Sequence, residues 1–141
     1  MRSLNILVVD DDAPTCLVIS TVLTRQGHTV EIANDGKEAI SLFTNKPECF
    51  DVIITDHRMP LVSGLELVHY LRKNEFGGKI IVISGLLTPE LLTEYRSKRV
   101  DKILQKTFSV SELSSMLSET FKTWQSDGES FIAGIPSPSP L

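Results

Sequence analysis

Ile53-Ile54-Thr55 runs directly into Asp56-His57-Arg58-Met59-Pro60. An apolar run rich in β-branched residues has the composition of a buried strand. The aspartate at its end, followed four residues on by a turn-setting proline, holds a carboxylate at the rim of a sheet. In open α/β sheets the crevice beyond the carboxyl ends of the strands is where ligands bind. A second run, Ile6-Leu7-Val8-Val9, also ends in acid, at Asp10-Asp11-Asp12. Two strands that bring carboxylates to one rim suggest a divalent-cation site beside a carboxylate able to act as a nucleophile.

Outward from these two stretches, strand and helix patterns alternate. Leu4 to Val9 reads as a strand, and Val18, Ile19, Val22 and Leu23 recur at helical spacing until Gly27, a C-terminal cap. His28 to Ala33 is a short strand; Asn34-Asp35-Gly36 turns into a helix with Ala39, Ile40 and Phe43 on one face. Asp51 to Thr55, then a helix marked by Leu67, Val68 and Leu71, then Lys79 to Ser84 continue the series. Thr88-Pro89 opens a fourth helix, with threonine as N-cap and proline in the first turn. Lys102 to Gln105 is a short fifth strand. Ser109 and Glu112 form a capping-box signature for a last helix with Val110, Leu113, Leu117, Phe121 and Trp124 on its apolar face. Such alternation predicts a parallel sheet covered by helices on both sides, because each parallel crossover is right-handed and carries a helix.

A chain of 141 residues suits one domain with its own core. Its 41% hydrophobic and 23% charged residues are those of a soluble globular protein. The net charge of −4 gives no general attraction for nucleic acid or anionic membrane, although Lys98, Arg99 and Lys102 could form a local basic patch. Cys16 and Cys49 form neither a C-x-x-C pair nor a metal spacing, which suits a reduced, cytoplasmic interior. Acid interrupts the first apolar stretch far short of signal-peptide or transmembrane length, so no membrane insertion is expected. From Ser126 glycine, serine and Pro136, Pro138 and Pro140 take over, with Phe131-Ile132 as the one apolar handle. Residues 1–125 are therefore expected as the folded domain and 126–141 as a flexible tail.

Asp10 and Asp11 on one loop with Asp56 on a neighbouring strand would satisfy Mg²⁺, which takes oxygen ligands and keeps several waters. Asp12 is better placed to cap the first helix. Ser84 ends the run Ile80-Ile81-Val82-Ile83, where its hydroxyl could bond a phosphoryl oxygen, with Gly85 leaving room for the approach. Lys106 follows the fifth strand and could pair with a carboxylate before reaction and a phosphoryl oxygen after it. His57 adjoins Asp56, but successive strand residues point to opposite sides, so its ring is expected to face away from the site.

Four stretches, in this order and spacing, carry a resemblance: ILVVDDDAP at 6–14, DVIITDHRMPLVSGLEL at 51–67, IIVISG at 80–85 and LQKTFSVSEL at 104–113. From Leu4 to about Trp124 the chain resembles a response-regulator receiver domain of two-component signalling, similar to stand-alone chemotaxis-type regulators. The resemblance implies a flavodoxin-like, doubly wound (βα)5 fold, its five parallel strands in the order 2-1-3-4-5. It implies Mg²⁺-dependent transfer of a phosphoryl group from a histidine kinase or histidine phosphotransfer protein to one aspartate. By position Asp56 resembles the phosphoacceptor and Asp10 and Asp11 the acidic pair. Asp11 would bind Mg²⁺ directly and Asp10 through water, with Arg58 giving the ion a backbone carbonyl. Ser84 matches the switch hydroxyl and Lys106 the conserved-type lysine. The output implied is docking to a downstream protein through the face of the fourth helix, fifth strand and fifth helix, with no direct contact to nucleic acid. The only catalysis implied is of the domain's own phosphorylation and dephosphorylation, with Arg58 and Leu86 flanking the water's approach.

Three departures bear on that expectation. Thr107 stands where the family usually has a proline after the lysine, often across a cis bond, and a cis bond before any other residue is costly. The sequence thus leaves the shape of this loop open. Ile103 occupies the family's aromatic switch position, so inward rotation of a tyrosine or phenylalanine cannot operate there. Arg99-Val100 replaces a Gly-Ala pair and makes the end of the fourth helix more basic. These departures motivate one alternative, a receiver-like interaction module that works without phosphorylation. Asp10-x-Asp12 also resembles a haloacid-dehalogenase-type phosphatase motif, but Pro14 replaces the threonine or valine that pattern wants.

Overall fold

The computed structural model describes residues 3–122 and 132–133, with side chains from 3 to 120. The elements run β1 (Asn5–Val9), α1 (Ala13–Arg25), β2 (Thr29–Ala33), α2 (Gly36–Asn45), β3 (Val52–Asp56) and α3 (Gly64–Lys73). They continue with β4 (Lys79–Ser84), α4 (Pro89–Ser97), β5 (Lys102–Gln105), α5 (Val110–Lys122) and β6 (Ile132–Ala133). All strand pairs are parallel, in the order β2-β1-β3-β4-β5-β6. The first five strands have the flavodoxin-like order 2-1-3-4-5.

Period-two alternation along the strands builds two cores. Leu7, Val9, Ile53, Ile80, Val82 and Ile103 face one side, under Phe43 of α2, Leu67 and Leu71 of α3, and Leu91 and Tyr95 of α4. Ile6, Val8, Ile54, Ile81, Ile83 and Leu104 face the other, under Ile19 and Leu23 of α1 and Leu113 and Leu117 of α5. Strands buried on both faces read as continuous apolar runs, which is why β1, β3 and β4 are so plain in the sequence. The helix ends follow local chemistry. Asp12, Asp35, Ser63 and Thr88 each accept a backbone N–H at a helix start, and Ser63–Glu66 completes a capping box. Gly27 closes α1 at φ +93°, a conformation other side chains resist.

Several expectations need correction. Val110 is 57% exposed, because it opens α5 beside its Ser109 cap while the buried stripe runs through Leu113, Met116 and Leu117. Val18 and Leu17 are also exposed; the buried face of α1 is Cys16, Ile19, Val22 and Leu23. Lys102 is 4% exposed within β5 and so joins no surface basic patch. Within the stretch read as a tail, Ile132 and Ala133 pair with Ile103 and Leu104, adding a short sixth strand. An unpaired edge offers a row of backbone donors and acceptors, and β6 takes up part of that row on β5. The rest of 126–141, and the side chains of Phe121 and Trp124, lie outside the described residues. Among the described residues no helix is long and apolar enough to cross a membrane.

Candidate functional site

Three strand ends and one loop assemble the site. Asp10 directly follows β1 and its N–H still bonds the sheet, to the Ala33 carbonyl at 3.1 Å. Its Oδ1 accepts the Asp12 N–H at 2.9 Å, while Asp12 turns away to take the Thr15 N–H and hydroxyl as the α1 cap. Asp56 is the last residue of β3, opposite Ile83. Its Oδ1 accepts the His57 N–H at 2.9 Å, a donor shared with the Ile83 carbonyl at 2.8 Å. Carboxylate oxygens of Asp10, Asp11 and Asp56 lie within 4.8 Å of one another. Asp10 and Asp56 are buried and Asp11 is exposed, so the cluster meets solvent at Asp11.

Lys106 completes the cluster. The Lys106–Thr107 bond is cis with threonine in place of proline. The Lys106 ammonium stands 3.4 Å from Asp56 Oδ1 and 4.0 Å from Asp10 Oδ2. Crowding acid into a buried spot has an electrostatic signature. Burial, reinforced by Asp56 and opposed by the Asp12 hydrogen bond and Lys106, pushes the Asp10 carboxyl up to about 6. Asp10 Oδ2 is enclosed and accepts no hydrogen bond. An enclosed carboxylate oxygen without a donor, beside two further carboxylates, fits a hard divalent cation such as Mg²⁺. Arg58 and Asp11 line one open cleft with Met59, Pro60 and Ser63.

Ser84 is buried at the end of β4, but its hydroxyl faces its own loop. It donates to the Leu86 carbonyl at 2.7 Å and accepts the Leu86 N–H at 3.0 Å. Gly85 is not needed for space in this arrangement, since a Cβ there would meet only the Lys106 Cβ at 3.8 Å. Gly64 is the close approach the sequence reading passed over. A Cβ there would run into the Asp56 carbonyl oxygen and lie 2.9 Å from the His57 Cα, both rigid backbone. Gly64→Ala is expected to cost about 2–3 kcal/mol by urea unfolding, whereas Gly85→Ala should stay within about 0.5 kcal/mol.

The His57 ring turns from the carboxylates to Tyr95 of α4, with Nδ1 2.5 Å from the tyrosine hydroxyl and the rings edge-to-face at 79°. Tyr95 is fully buried, and sequence reasoning missed it. Its spacing of four from Leu91 was a signal for the buried face of α4, and a buried tyrosine hydroxyl needs a partner. Cys16 is buried against the Asp10 carbonyl, and burial with Asp10 and Asp12 nearby pushes its thiol up to about 11, far from a reactive thiolate.

A model of the response regulator receiver domain matches residues 6–118. The chain belongs to that family. Among its relatives is a response regulator receiver protein of Anaeromyxobacter sp. (strain Fw109-5), 34% identical over 76% of this chain and 44% of the relative. Another is the aerobic respiration control sensor protein ArcB of Escherichia coli, 31% identical over 94% of this chain and 17% of the relative. This receiver thus spans less than half the length of either curated relative. The crystallised chemotaxis protein CheY4 of Vibrio cholerae superposes with a TM-score of 0.76 at 29% identity, covering 84% of this chain and 98% of that one. Residues 6–118 are accordingly a receiver domain of two-component signalling.

Proposed function

We propose that this receiver accepts a phosphoryl group on Asp56 from the phosphohistidine of a histidine kinase or histidine phosphotransfer protein. The observation that carries the reading is the cluster itself: three carboxylates within 4.8 Å of one another and a lysine ammonium 3.4 Å from Asp56. An Asp56 carboxylate oxygen attacks phosphorus in line, the phosphorus–nitrogen bond breaks, and the imidazole leaves with the bonding pair. Mg²⁺, held by Asp11, Asp56 and the Arg58 carbonyl directly and by Asp10 through water, would offset the repulsion between these acids and the incoming phosphoryl oxygens. Lys106 sits where it pairs with the carboxylate before transfer and with a phosphoryl oxygen after it. The Ser84 hydroxyl reaches the phosphoryl group by leaving Leu86, which frees the loop that leads to the Thr88 cap of α4. That exchange of partners biases the face of α4, β5 and α5 toward a downstream protein, since only differential contacts shift such an equilibrium.

Residues 1–125 carry the whole site and its five strand–helix units in this reading, the setting is cytoplasmic, in keeping with the free thiols of Cys16 and Cys49, and the chain catalyses only its own phosphorylation and dephosphorylation. Arg58 and the exposed Leu86 flank the path of the hydrolytic water and tune the lifetime of the acyl phosphate. Incubation with acetyl phosphate and Mg²⁺, followed by borohydride reduction of the acyl phosphate and peptide mapping, should convert Asp56 alone. Modification at another residue would reject the assignment. A receiver that binds its partner equally well with and without Asp56 modified would support the phosphorylation-independent alternative.

A further inference from the structure

His57 holds two contacts, one through its backbone and one through its ring. Its backbone N–H donates to Asp56 Oδ1 at 2.9 Å, and its imidazole Nδ1 meets the Tyr95 hydroxyl at 2.5 Å. Its carbonyl accepts the Gly64 N–H at 2.9 Å, which fixes it to the start of α3. Tyr95 is the deepest residue of α4, fully buried in the same core as Ile103. Ile103 has no polar atom with which to register a change at Asp56. The acceptor carboxylate, one histidine and the last turn of α4 are thus joined in sequence by two hydrogen bonds, the first of them to a carboxylate. The Ser84–Leu86 loop reaches α4 separately, at its N-terminus.

We infer that the His57–Tyr95 hydrogen bond is the contact through which α4 senses the state of Asp56, taking the place of the aromatic residue that β5 lacks. The inference rests on the acceptor role proposed for Asp56. A carboxylate oxygen is a strong acceptor for the His57 N–H, and conversion of the carboxylate to an acyl phosphate weakens it. The N–H then relies on the Ile83 carbonyl, the His57 backbone shifts, and the imidazole loses its alignment with the Tyr95 hydroxyl. Tyr95 is a positioning residue here and touches no reacting atom. The bond holds α4 in its resting place, and loading Asp56 releases it.

The test is hydrogen–deuterium exchange of the α4 peptide, residues 89–97, in the full chain before and after loading with acetyl phosphate and Mg²⁺, with intact mass recorded on the same samples. In wild type, loading should speed α4 exchange. In Tyr95→Phe, which keeps the ring and removes the hydroxyl, unloaded α4 should already exchange about fivefold faster. The further change on loading should then be largely lost, while the extent of phosphorylation stays at the wild-type level. His57→Leu removes the same bond from the other side and should also suppress the α4 response, which guards against one variant folding poorly. A wild-type-sized loading response in either folded variant overturns the inference and leaves the acceptor role intact. No adduct on wild-type protein overturns both.

Discussion

Lys106→Met is expected to slow phosphorylation of Asp56 by acetyl phosphate about 10²–10³-fold while leaving the modified residue unchanged. The ammonium lies 3.4 Å from Asp56 Oδ1 and 4.0 Å from Asp10 Oδ2, so it is already positioned against the oxygens that bear charge as the phosphoryl group arrives. A preformed charge of this kind needs little reorganisation in the transition state, which is why its removal acts on rate more than on folding. Methionine keeps an unbranched apolar stem only one atom shorter, so packing against the loop is largely kept. The time course of adduct formation by intact mass at saturating donor checks this. A loss smaller than about tenfold would remove Lys106 from the transfer step.

Asp10→Asn should pull stability and function in opposite directions. The wild-type carboxyl is pushed from its ordinary 3.8 up to about 6, chiefly by burial. The folded state therefore binds this proton more tightly than the unfolded chain does. Below about pH 4 the group is protonated in both states and carries no penalty. As pH rises toward about 6 the unfolded chain gives up the proton first, so folding loses stability, and the loss persists above that. At about 1.4 kcal/mol per pH unit the full effect is about 3 kcal/mol. Asparagine is neutral and can still accept the Asp12 N–H through its carbonyl oxygen. In chelator, Asp10→Asn should be more stable than wild type by about 2–3 kcal/mol at pH 7.5 and nearly equal to it at pH 4, by urea unfolding. Added Mg²⁺ should then stabilise wild type much more than the variant. Equal stabilisation of both would remove Asp10 from the metal site.

These two expectations rest on features that differ in how plainly the sequence shows them. β1, β3 and β4 are legible because strands buried on both faces need uninterrupted apolar residues, and the acids at their ends stand out against that background. Asp12 as a cap is legible because the cap and the helix it starts are adjacent in sequence. The direction of the Ser84 hydroxyl is not, since a rotamer chooses among partners that composition does not rank. Lys106 is placed by the backbone course of its loop, which the identity of Thr107 left open. The His57–Tyr95 contact joins residues 38 apart and appears only once α4 packs on the sheet. Lys102 is buried by its place within β5, and Val110 is exposed because it opens α5 ahead of the buried stripe; position rather than residue type decides both. Pairing of Ile132–Ala133 with β5 likewise depends on an edge left open by the topology, although the chain there reads as a tail.

The account stands on Asp56 as a metal-dependent phosphoacceptor, and intact mass spectrometry after incubation with acetyl phosphate tests it most directly. Wild-type protein with Mg²⁺ should gain the mass of a single phosphoryl group. The gain should vanish on chelation and be absent from Asp56→Asn under the same conditions. An adduct that persists in Asp56→Asn, or wild-type protein that binds Mg²⁺ yet gains no mass, would contradict it.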